Sequence, residues 1–145
     1  MNEDSYEFTL SRTEYRYEFV SISAKKEVRK VVLFSQTTSA NTYNLALLDL
    51  LDTGELSDIT ETNNDDFVIV MATVFKIVID FFDKLPGNNV VFGGSDNRRQ
   101  RLYRIIIGRE LEEITKTFDV FGILGNTIEK FESNKIYELY LIKKR

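Results

Sequence analysis

The chain has 145 residues, the length of one ordinary domain, and its 43% hydrophobic and 29% charged fractions are those of a folded globular protein. A net charge of -4 argues against a surface that grips nucleic acid or acidic membrane as a whole, while leaving room for a local basic patch. Cysteine and histidine are both absent, which excludes disulfides, thiolate nucleophiles, Cys/His zinc sites, Ser-His-Asp triads and imidazole acid–base chemistry.

Any catalysis must therefore use Asp, Glu, Lys, Tyr, Arg, Ser, Thr, backbone groups or a bound cofactor of unknown identity. Met1 to Leu10 carries acids and no apolar run, so it does not read as a signal peptide. The most apolar stretch, Phe67 to Phe82, is too short to span a bilayer and contains Lys76 and Asp80. A single cytoplasmic domain over residues 1–145 with no membrane partner is expected.

Tyr6 to Leu10 is a candidate edge strand. From Tyr15 to Ser23 the residues alternate, with Tyr15, Tyr17 and Phe19 on one face and Arg16, Glu18 and Val20 on the other, which predicts a strand. Ala24-Lys25-Lys26 makes a turn into the β-branched run Val28 to Phe34, completing a hairpin. A third strand is expected over Tyr43 to Leu48. The connection from 50 to 64 has a Thr53-Gly54 turn signal and is long enough to be functional or to hold a short element. Its residues Asp49, Asp52, Glu55, Asp58 and Glu61 could supply a general base or a divalent-metal ligand, but they lack calcium-loop spacing, and no metal site is expected.

Asn63-Asn64-Asp65-Asp66 opens a helix that runs to about Leu85, where Pro86-Gly87 stops it. Thr73, Lys76, Asp80, Asp83 and Lys84 form its polar stripe, and the remaining wide apolar surface fits a helix laid on a sheet. Asn89 to Phe92 is a short strand. Asn97 to about Lys116 reads as a second helix whose apolar side holds Leu102, Tyr103, Ile106, Ile107, Leu111 and Ile114. Strands follow at Phe118 to Leu124 and Ile136 to Lys143, with a turn or short helical piece at Asn126 to Lys135. The predicted class is α+β: a mixed, twisted sheet of about six strands with two main helices in the order β-β-β-α-β-α-β-β. Its third and fourth strands should be parallel.

In such an arrangement ligands collect at the carboxyl ends of the parallel strands, beside helix N-termini. Asn63 and Asn64 lie before the first helix, and Gly94 and Ser95 before the second, followed by Arg98, Arg99, Arg101 and Arg104. Arg98, Arg101, Arg104 and Arg109 share one helix side. Glycine, a helix start and arginines suit a phosphate or carboxylate. The plainer alternative is a solvated basic face balanced by Glu110, Glu112 and Glu113, with Asn63 or Asn64 only capping. Tyr103 could be a phenolic acid or a core residue with its hydroxyl at the rim. The candidate binding set is thus Asn63, Asn64, Gly94, Ser95, Arg99, Arg101 and Tyr103.

The residues Tyr17 and Phe19, Tyr43-Asn44-Leu45, Asn63-Asn64, Ala72-Thr73-Val74, and Gly94-Ser95 with Arg99, Arg101-Leu102-Tyr103-Arg104 resemble an uncharacterised family of small bacterial proteins carrying a G-S-T-x-x-R-T-R-L-Y-R segment. Tyr137 fits that family's last strand. Asp96 and Gln100 depart from its threonines, and a carboxylate at 96 would weaken a phosphate site. The resemblance implies no known activity. The element order is also similar to GNAT-type N-acetyltransferases, whose last helix tends to carry an Asn and a Tyr as Asn97 and Tyr103 do here. Their Q/R-x-x-G-x-G/A loop is replaced by Glu61-Thr62-Asn63-Asn64-Asp65-Asp66. Three functional classes follow: a domain binding an anionic small molecule on an acetyltransferase-like scaffold, a protein- or RNA-interaction module such as a toxin–antitoxin or phage-defence component, or a structural domain with no small ligand.

Overall fold

A computed structural model describes residues 5–11, 15–22, 26–57, 66–93 and 97–145, with backbone alone at 97–99. Its contacts divide the chain into two compact units, Asn2–Ser35 with Leu45–Pro86, and Gln36–Asn44 with Gly87–Arg145.

The first unit is built on β1 (Phe8–Ser11), β2 (Arg16–Ile22), β3 (Glu27–Gln36) and β4 (Thr42–Leu50), adjacent in that order, with β5 (Leu56–Ser57) paired antiparallel to β4. Alternation in β2 buries Tyr17, Phe19 and Ser21 and leaves Val20 and Ile22 exposed. The antiparallel register sets Tyr17 opposite Val32 and Phe19 opposite Lys30. Helix α1 (Phe67–Lys84) covers the buried face. It is rich in β-branched residues that favour strands intrinsically, so burial holds it helical. Val70, Met71, Val74, Phe75, Ile77, Val78, Phe81 and Phe82 are all buried. Phe81 stacks on Phe34 with ring centroids 4.0 Å apart and meets Tyr15 edge-on. Leu85 donates its N–H to the Phe81 carbonyl as the last helical bond, and Gly87 at φ +85° then turns the chain.

Three polar pairings are packed into this unit. The Tyr6 hydroxyl donates to Asp66 Oδ2 at 2.5 Å, Ser21 Oγ donates to the same oxygen, and Tyr6 N–H donates to Thr73 Oγ1. The Tyr17 hydroxyl donates to Asp80 Oδ2 at 2.6 Å, an oxygen that Lys84 Nζ also reaches. Lys30 and Asp49, only 2% and 3% exposed, form a hydrogen-bonded ion pair.

In the second unit the first residues of β4 pair parallel with β6 (Asn89–Phe92), Tyr43 opposite Val90. Helices α2 (Asn97–Arg109) and α3 (Leu111–Ile114) follow, then β7 (Phe118–Leu124), β8 (Thr127–Lys130) and β9 (Leu139–Lys144). β9 lies between β6 and β7, antiparallel to both, and β8 forms a hairpin with β7. Phe92, Tyr140, Ile142, Phe118 and Val120 are buried together with Tyr103, Ile106 and Ile107 of α2. Phe92 meets Tyr103 edge-on at 5.6 Å and Tyr140 at 5.5 Å.

The α+β class with a mixed sheet and the parallel β4–β6 pair agree with expectation, but the described residues contain nine strands rather than six. The added ones are short: β5 has two residues, and β8 replaces the turn or helical piece expected at 126–135. The second helix breaks at Glu110, whose φ of -102° and ψ of 12° leave the helical range, so α3 is a separate turn. The last strand begins at Leu139, three residues later than its alternation suggests. Thr73 is fully buried, because its hydroxyl serves Tyr6 and the Ile69 carbonyl instead of water. Asp66 occupies the N-cap position of α1 without a side-chain cap bond, since its carboxylate is turned to Tyr6 and Ser21. Among the described residues no helix is long and apolar enough to cross a membrane.

A candidate anion cleft on the arginine face of the second helix

Helix α2 packs Tyr103, Ile106 and Ile107 inward at helical spacing, which turns Arg101 outward and leaves Arg104 half-buried. Opposite this helix, the chain approaching β9 brings Ile136, Tyr137 and Tyr140 alongside. Gln100, Arg101 and Arg104 on one side and those three residues on the other enclose a cleft of about 330 Å³. No carboxylate lines it.

The two walls are tied together. Gln100 Nε2 donates to the carbonyls of Tyr137 at 2.7 Å and Glu138 at 3.0 Å. The Tyr137 hydroxyl accepts the Glu132 N–H at 3.0 Å, and its ring lies so close to Gly122 of β7 that a Cβ there would overlap it. Glycine at 122 is thus required by the ring's seat. Tyr137 is 1% exposed and Tyr140 0%, so the floor of the cleft is packed core.

The polar groups here are under-used. Neither Arg101 nor Arg104 forms an ion pair among the described residues, whereas Arg109 on the same helix meets Glu110 at 3.5 Å. The Tyr140 hydroxyl has only the Gln100 carbonyl, at 3.4 Å, well beyond the usual O–H···O distance. Burial pushes its pKa up to about 12 against the lowering effect of Arg104, so it is a proton donor at neutral pH. Two guanidiniums with no counter-charge can bind an anion by charge-assisted hydrogen bonds.

Two larger clefts in the first unit differ in this respect. One, of about 470 Å³, is lined by Glu7 and Glu18 as well as Arg29. The other, of about 410 Å³, combines Lys26 and Arg29 with Glu27, Asp49 and Asp52. In both, acidic lining residues outnumber basic ones.

Of the sequence candidates, Asn63, Asn64, Gly94 and Ser95 lie outside the described residues, as does the side chain of Arg99. Arg101 lines the cleft. Tyr103 is 4% exposed and packs against Phe92, in the core just beneath. Sequence reading placed Arg104 on the same helix side but did not find Gln100, Ile136 or Tyr140, which are joined to it only by the fold. Asp49 of the acidic stretch is committed to Lys30, and no group of three or more acidic residues that could hold a metal occurs among the described residues.

The fold is α+β with a mixed sheet, and among the described residues a cationic recess lies beside α2. The chain belongs to a family of unknown function, DUF6934, which matches residues 2–145. No curated protein and no solved structure matches it.

Proposed function

We propose that this protein is a small-ligand domain that binds a phosphate-bearing or other anionic molecule in the cleft beside Arg101 and Arg104. The observation that carries this reading is the pair of guanidiniums lining one recess with no carboxylate beside them, in a chain whose net charge is -4. An acidic protein has carboxylates to spare for surface pairing, and Lys84, Arg109, Lys116, Lys135 and Arg145 are so paired. The parallel β4 and β6 flanking α1 support the acetyltransferase-like scaffold at the level of element order only.

Differential scanning fluorimetry with nucleotides, sugar phosphates and aryl phosphates tests the proposal. A ligand at about a hundred times its Kd should raise Tm by about 5–10 °C. Arg101→Ala and Arg104→Ala should each abolish most of that shift. If no anion in the panel moves Tm, the proposal is wrong. The alternative, an RNA- or protein-interaction module, draws on the 45% exposed Ile105 and 71% exposed Ile136 beside the same arginines. It predicts RNA binding that weakens steeply with salt, or a co-purifying partner.

A further inference from the structure

We infer that the cleft selects an amphipathic organic anion, with its charged head between Arg101 and Arg104 and an apolar ring or short chain laid along Ile136. This rests on the anion-binding reading and names the ligand class. The two walls differ in chemistry: α2 supplies Gln100 and the arginines, while the approach to β9 supplies Ile136 and Tyr137 and the strand itself Tyr140. Ile136 is 71% exposed, more than any other large hydrophobic residue described, and stands at the recess rather than on a distant loop. Covering it with an apolar body removes that surface from water.

The surface this side shows to solvent is the apolar side chain of Ile136, with Tyr137 and Tyr140 buried behind it. Both N–H groups of the Gln100 amide are spent on the Tyr137 and Glu138 carbonyls. A sugar seated against Ile136 would give up water and gain no partner in return. A recess of about 330 Å³ sits at the small end of ligand sites and suits one head and one ring. The packed tyrosines behind it, held by Gly122, Glu132 and Gln100, fix the position of the chain that carries Ile136.

Isothermal titration calorimetry at neutral pH with 1-naphthyl phosphate and ribose 5-phosphate separates the two levels of the argument, because the heads carry the same charge and the bodies differ. 1-Naphthyl phosphate should bind about tenfold tighter or better. Ile136→Ser should bring the two affinities together and leave the unliganded Tm unchanged, since the side chain is mostly outside the core. Arg104→Ala should weaken both ligands. Equal affinities, or an advantage that survives Ile136→Ser, overturn the ligand class while the anion site stands. If neither compound binds, the anion site itself falls, and the ligand class with it.

Discussion

The first unit and the α2 cleft treat their polar groups in opposite ways. Under and beside α1, Tyr6 and Ser21 converge on Asp66, Tyr17 on Asp80, and Lys30 on Asp49. Beside α2, Arg101, Arg104 and Tyr140 surround a recess and lack good partners among the described residues. The first arrangement contributes to stability and to a unique register. The second leaves its donors under-bonded, which is the basis of the binding role proposed for it. The contrast separates residues whose loss should unfold the chain from residues whose loss should silence it.

The largest effect is expected at the Lys30–Asp49 pair. Asp49→Ala strands a buried ammonium and should cost about 3–5 kcal/mol, read from urea unfolding. The double replacement Lys30→Met with Asp49→Leu should recover most of that loss. A single Asp49→Ala that unfolds at the wild-type midpoint would break the comparison at its firm end. Next, Tyr6→Phe removes the hydroxyl that donates to the Asp66 carboxylate and should cost about 1.5–3 kcal/mol.

A smaller, pH-dependent effect is expected from Tyr140. Its pKa is raised from 10.0 to about 12, chiefly by burial. The folded protein keeps this proton after the unfolded chain has released it. The contribution is therefore complete below pH 10 and is lost as pH rises from 10 towards about 12. The slope for this one proton is about 1.4 kcal/mol per pH unit. Tyr6, Tyr17 and Tyr137 are raised as well, so alkaline unfolding should be steep, and Tyr140→Phe should flatten it by one proton. The smallest effect on stability belongs to Arg101→Ala, expected within about 0.5 kcal/mol of wild type while ligand binding disappears. A large drop in stability from this exposed residue would show that its side chain serves the fold.

Much of the architecture is legible in single residues. Pro86-Gly87 marks the end of α1, the alternation of β2 gives its buried face, and the bounds of β7 coincide with the apolar run Phe118 to Leu124. What could not be read depends on distant partners. Thr73 falls on the polar stripe of α1 by periodicity, yet Tyr6, 67 residues away, makes it a core residue. Strand β8 has one large apolar residue, Ile128, and is a strand because β7 pairs with it. Half of the cleft was visible as an arginine helix face. The wall that makes it a recess arrives with β9, and the role of Gln100 becomes intelligible only when its amide is seen tying α2 to the chain before that strand.

Asp66 has a consequence for how the first unit comes apart. Its carboxylate is the shared acceptor for the hydroxyls of Tyr6 and Ser21, and it sits directly ahead of the first turn of α1. Tyr6 also stacks on Phe19 and donates its amide to Thr73 in that helix. Peeling away the outermost strand would therefore unmask a buried acid and loosen the helix start in one event, so the amides of β1 and of the first turn of α1 should exchange with deuterium at a common rate.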